Sequence, residues 1–107
     1  MENQDKKIQE MQMLEQNLQN SLLQKQAFQM ESSENSAALK EIEKSGEEVF
    51  KIVGQLMIKT DKSNVKKELV EKEKILDLRL KTIEKQESHL TKQLETLREE
   101  FMKQTKK

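Results

Sequence analysis

From Val65 to Phe101 the apolar residues fall into one repeating frame, alternating steps of three and four. One set of seam positions holds Leu69, Leu76, Ile83, Leu90 and Leu97, and the other holds Glu73, Leu80, Glu87, Leu94 and Phe101. Such a stripe on a 3.6-residue turn predicts a helix that buries one narrow seam against a partner helix. Glu73 and Glu87 are the exceptions, and each is expected to find a partner, to reach solvent with its long stem, or to face a helix not fully closed there. The first part of the chain, Gln4 to Lys44, carries a looser stripe: Ile8, Met11, Leu14, Leu18, Leu22, Phe28, Leu39 and Ile42, interrupted by Lys25, Ser32 and Asn35. Its segment ESSENSAAL is the weakest helix former, because Ser and Asn side chains compete for backbone hydrogen bonds.

Between these arms the vocabulary changes to VFKIVGQLMIKT, Val49 to Thr60. β-branched residues around a mid-run Gly make a poor helix and a good strand pair, and Gly54-Gln55 has the form of a two-residue hairpin turn with Gly first. Continuation of a helix through residues 47 to 60 is the alternative. The hairpin fixes a register, with Val53 opposite Leu56, Ile52 opposite Met57, Lys51 opposite Ile58 and Phe50 opposite Lys59. One face then carries Val49, Val53, Leu56 and Ile58, and the other Phe50, Ile52 and Met57. Because the turn lies at the middle of the 107 residues, reversal there folds two arms of similar length onto each other, bringing Leu14 near Leu94, Leu18 near Leu90 and Phe28 near Leu80. Gly46 is expected to close the first helix in the left-handed conformation, and Asp61, Ser63 and Asn64 are all competent to cap the second. The expected fold is mainly α: a long antiparallel two-helix coiled coil joined by a central β-hairpin, in a single domain over 1–107, with helices at 4–44 and 63–104 and the hairpin at 47–60.

Composition narrows the function classes. Hydrophobic residues make up 33% of the chain and aromatics 3%, with 37% charged and Pro absent. A thick core is out of reach for such a chain, whereas a thin seam is not. Disorder is the competing reading of this polarity, but the sustained apolar period opposes it. Lys plus Arg at 20 balances Asp plus Glu at 20, leaving no net field for a nucleic-acid backbone or an anionic membrane. Phe28, Phe50 and Phe101 are too far apart for a base-stacking platform. Without Cys, a Gly-rich phosphate loop or more than one His, the chain offers no catalytic constellation, metal site or cofactor site. His89, beside Leu90, reads as a solvated rim residue and the many Glu as a solvated helix face. Nothing reads as a signal peptide or a membrane span, so a cytoplasmic protein is expected.

An isolated two-stranded hairpin is marginal in water, and this one exposes two apolar faces and two open edges. Val49, Phe50, Ile52, Val53, Leu56, Met57 and Ile58 are therefore candidate oligomerisation residues. A plain coiled-coil scaffold or adaptor whose centre merely bends is the alternative, and it leaves the apolar insert unexplained.

KSGEEVFKIVGQLMIK, followed by LDLRLKTIEKQESHLTKQLETLR, resembles the prefoldin family in its beta-type branch, over Lys44 to Arg98. The first helix matches in length and character only. The resemblance implies an archaeal-type, ATP-independent chaperone: a hexamer of two alpha-type and four beta-type subunits whose hairpins join into β-barrels. From these the coiled coils project and capture unfolded clients at their open ends for a group II chaperonin. The chain reversal places Ile8, Met11, Met13 and Leu14 at that end of one arm, and Leu94, Leu97, Phe101 and Met102 at that end of the other. These are the candidate client-binding residues, with flexible Met side chains suited to promiscuous apolar contact.

Overall fold

The structure, a computed structural model, describes residues 2–105. The expected domain span of 1–107 therefore exceeds the described residues at both ends. The order of elements is α1 (Glu2–Lys44), β1 (Glu48–Val53), β2 (Leu56–Asp61) and α2 (Lys62–Thr105). The chain divides into two compact units, one comprising residues 1–27 with 81–107 and the other residues 28–80.

In the first unit, α1 contributes a strip of buried or half-buried side chains at Gln4, Lys7, Met11, Leu14, Leu18, Ser21 and Lys25, and α2 contributes Ile83, Glu87, Leu90, Leu94, Leu97 and Phe101. Ile83 and Leu94 are the buried apolar residues of this unit. The α2 strip is the one the sequence frame predicts. The α1 strip differs: Ile8 and Leu22 point outward, 38% and 39% exposed, and Lys7 and Ser21 take the seam positions beside them. A strict alternation of three and four is satisfied only by including polar residues, and a search for apolar side chains steps past them. Glu87 finds its partner in one of these, since the Lys25 ammonium lies 3.1 Å from its carboxylate, both groups half-buried. The exposed pair Arg98 with Glu15, and the pair of half-buried Lys7 with exposed Glu100 at the rim, add little, since water and salt screen them.

In the second unit the seam is Phe28, Ser32, Asn35, Leu39 and Ile42 against Val65, Leu69, Glu73, Leu76 and Leu80. Leu76, 1% exposed, is its most buried side chain; burying a leucine contributes roughly 1.5–3 kcal/mol. Asn35, 4% exposed, donates its amide N–H to the Leu69 carbonyl at 2.8 Å, while its Oδ1 has no protein partner. A buried amide with one of its bonds unmade costs stability relative to an aliphatic side chain and restricts how the two helices align. Phe28 is half-buried beneath the Arg79 guanidinium, 5.7 Å from the ring centre. ESSENSAAL is helical throughout; tertiary contact outweighs its weak propensity.

Candidate functional site: the hairpin, its base and the distal groove

The two strands pair antiparallel in the register expected from sequence, from Val53 opposite Leu56 through Phe50 opposite Lys59, and the ladder continues through Val49 opposite Thr60 to Glu48 opposite Asp61. Gly54 has φ 61° and is the only positive-φ residue among those described. A positive φ at the first turn position followed by a negative one is the type II′ pattern, whose twist matches that of paired strands and which favours Gly there.

The two faces of this hairpin are unequally free. Phe50, Ile52 and Met57 share one face and are 61%, 72% and 68% exposed. On the other, Val49 and Thr60 are half-buried at the base, while Val53, Leu56 and Ile58 remain exposed. Lys51, on that second face, reaches α2 and bonds both oxygens of Glu68, the shorter contact 2.8 Å. All seven candidate oligomerisation residues therefore lie on the strands, and all but Val49 are solvent-exposed.

The base of the hairpin is held mainly by side chains that bond to main-chain groups, with two backbone–backbone bonds beside them. Asp61 caps α2, accepting the Asn64 backbone N–H at 2.8 Å and the Asn64 side-chain amide at 3.0 Å; of the three sequence candidates, the carboxylate takes the cap, where it also meets the positive end of the helix. Gly46 does not close α1 in the left-handed conformation, because its φ is not positive. The Ser45 backbone N–H and hydroxyl instead both donate to the Ile42 carbonyl, at 3.2 and 2.8 Å, and the Lys62 ammonium donates to the Glu43 and Ser45 carbonyls, each at 3.2 Å. Glycine is the commonest but not the required end of a helix. Here a hydroxyl and an ammonium satisfy the last carbonyls, so no left-handed residue is needed.

Glu43 pairs with Lys66 across the helices. The Lys66 hydrogen bond and then its charge hold the Glu43 carboxyl below the usual glutamate range; desolvation opposes them, and the charge of Lys62 adds the least. A carboxyl with a lowered folded-state pKa stabilises the fold above its unfolded pKa and stops doing so as pH falls through the folded value. The thermal midpoint of the parent protein is thus expected to exceed that of Glu43→Gln at neutral pH, with the gap closing on acidification. A gap that persists in acid would show that Glu43 acts through packing.

The first unit carries the candidate client-binding residues, and their exposures separate them. Leu94 is 5% exposed and belongs to the core. Met11, Leu14, Leu97 and Phe101 are half-buried along the seam. Ile8, Met13 and Met102 point outward, 38%, 65% and 57% exposed. Met13, Leu14 and Leu97 line an open groove of about 490 Å³ with Glu10, His89, Lys92, Gln93 and Thr96. Sequence reasoning did not find His89 and its neighbours as groove residues, since a shallow trough between two helices leaves no local signature. Among the described residues no cluster of His, Cys, Asp and Glu could hold a metal ion, and no helix is long and apolar enough to cross a membrane.

Comparison with known proteins places this geometry. The family described as prefoldin subunit matches residues 5–107. A prefoldin subunit beta of Thermococcus onnurineus is 44% identical over 85 residues, 78% of this chain and 73% of that protein. The prefoldin subunit beta of Methanothrix thermoacetophila is 37% identical over 94 residues, 86% of this chain and 78% of the relative. The crystal structure of the prefoldin beta subunit from Thermococcus strain KS-1 superposes with a TM-score of 0.86 at 34% identity, covering 94% of this chain and 90% of that one. Two long helices joined by a central antiparallel hairpin are thus shared with a solved beta subunit, and the chain belongs to the prefoldin family of chaperone subunits, which are not enzymes.

Proposed function

We propose that this chain is a beta-type subunit of a hexamer with two alpha-type and four beta-type members. In it, the hairpins join edge to edge into β-barrels and the distal helix ends hold non-native proteins for delivery to a group II chaperonin. The observation that carries this reading is the hairpin itself, where Phe50, Ile52, Leu56 and Met57 are each more than half exposed on strands whose outer edges have no neighbouring strand among the described residues. Such a surface is an aggregation hazard unless further strands cover it. Joining strands from several subunits removes the edges and buries the side chains in one step.

Client capture falls to Ile8, Met13 and Met102, with the half-buried Met11, Leu14, Leu97 and Phe101 becoming available as the ends fray. The groove beside Met13 suits apolar side chains of varied shape, since an unbranched thioether adapts to what it meets. Capture without ATP accords with a sequence that has two glycines and no phosphate-cradling loop. The place of action in this reading is the cytoplasm, where clients and chaperonin meet.

The test is to dilute a chemically denatured protein into buffer containing the chain and an alpha-type prefoldin subunit, with no nucleotide, and to follow light scattering. Scattering is expected to fall, to be indifferent to added ATP, and to give way to refolded protein when a group II chaperonin and ATP follow. Assembly with undiminished scattering would replace the chaperone reading with that of a scaffold.

A further inference from the structure

We propose that Lys62 is a positioning residue that sets the direction of the hairpin on its helix pair, and so decides whether hairpins of different chains can meet. The inference rests on the assembly reading above. β2 runs directly into α2 at Asp61–Lys62, but β1 is joined to α1 through residues 45–47. That link contains Gly46, which has open space around it and an ordinary φ. Glycine leaves the link free to swing, and the largely exposed strands supply little packing that would resist it. Lys62 makes three bonds to this one stretch: its ammonium donates to the Glu43 and Ser45 carbonyls, each at 3.2 Å, and its backbone N–H to the Glu47 carbonyl at 3.0 Å. An ammonium at a helix C-terminus is also favoured by the negative end of the helix dipole.

The other polar contacts described at the base do not tie the main chain of this link to α2. The Ser45 bonds stay within residues 42–46, and the pairs Lys66–Glu43 and Lys51–Glu68 join exposed side chains of the kind that contributes little. The half-buried Lys62 ties main chain of α1's end to the first residue of α2. Direction matters because strand pairing tolerates little error. Six residues of strand span about 20 Å, so a tilt of about 15° moves the turn by roughly 5 Å, one strand spacing. Each subunit would add its own error to a shared barrel.

The experiment compares Lys62→Met, which keeps the stem and removes the donors, with Lys62→Arg, which keeps charge and donors. Both leave the backbone bond to Glu47. Helix content is read by circular dichroism. Assembly is read by sedimentation velocity of the chain alone and mixed with an alpha-type prefoldin subunit, with Ile52→Asp as the control for the interface. Lys62→Met is expected to keep parental helix content while its assembly dissociation constant rises about ten-fold or more, the scale of a lost charge-assisted bond; Lys62→Arg should restore most of the loss. Parental assembly by Lys62→Met, failure of Lys62→Arg to rescue, or loss of helix in step with assembly would each overturn the positioning role. Unimpaired assembly by Ile52→Asp, or no assembly by the parent in either sample, would overturn the assembly reading instead.

Discussion

Aspartate at Ile52 is expected to reduce the assembled protein to single chains without unfolding them. Ile52 is 72% exposed on its own chain and sits opposite Met57 in the ladder. Its cross-strand neighbour Met57 is itself 68% exposed and the pair contributes little, so helix content and thermal midpoint of the separate chain should stay near the parent's. In the proposed barrel this exposed face would be covered by other strands, where an isoleucine would contribute roughly 1.5–3 kcal/mol by leaving water and an unpaired carboxylate would cost several kcal/mol. The penalty recurs in each beta-type subunit, so the full complex should be absent at micromolar concentration, with sedimentation velocity showing only small species. Met57→Asp, on the same face, should behave alike. A full-sized complex formed by either variant would place the interface elsewhere.

The second large effect is expected at the other end of the helices. Removing residues 1–10 and 98–107 takes away Ile8, Phe101 and Met102 and lets the new ends fray around Met13, while the hairpin and its base lie in the other unit. Assembly should survive and suppression of client aggregation should be lost. A point change separates contact from general weakening. Met13, 65% exposed, contributes little to the seam, so Met13→Lys should lower suppression with a change in thermal midpoint close to zero. Leu94→Ala should instead cost about 2–5 kcal/mol of stability, the usual range for a buried leucine. Truncated chains that suppress aggregation as well as the parent would refute capture at the ends.

The parts legible from sequence were those governed by short-range rules. The α2 seam repeats at fixed spacing, so Leu76, Ile83 and Leu94 were recognisable as core without knowledge of the partner. The strand register followed from one glycine, because turn type and loop length together fix which residues face each other. The α1 seam was harder to read because its burial is decided by α2: Lys25 is half-buried where Glu87 receives it, and Asn35 is buried because Leu69 offers a carbonyl. Nothing in the local sequence of α1 announces either. The end of α1 at Lys44 agrees with the sequence reading, but the way it closes does not, for a related reason. Gly46 is a strong local signal for a left-handed cap, whereas the ammonium beside it comes from Lys62, beyond the hairpin. At the distal ends, sequence groups Leu94 with Met13 because both are apolar and both fall at the open end; the α2 frame puts Leu94 on the seam, whereas the looser α1 stripe does not tell which way Met13 faces.

The two seams also differ in kind, and translation order gives that difference a consequence. The α1 strip includes Lys7, Ser21, Lys25, Ser32 and Asn35, while that of α2 is apolar apart from Glu73 and Glu87. At roughly 5–20 residues per second, α1 leaves the ribosome seconds before α2. The half that must wait thus carries a seam broken by polar residues, a poorer template for pairing with a neighbouring nascent chain, and the more continuous apolar seam emerges only when its tethered partner is already present.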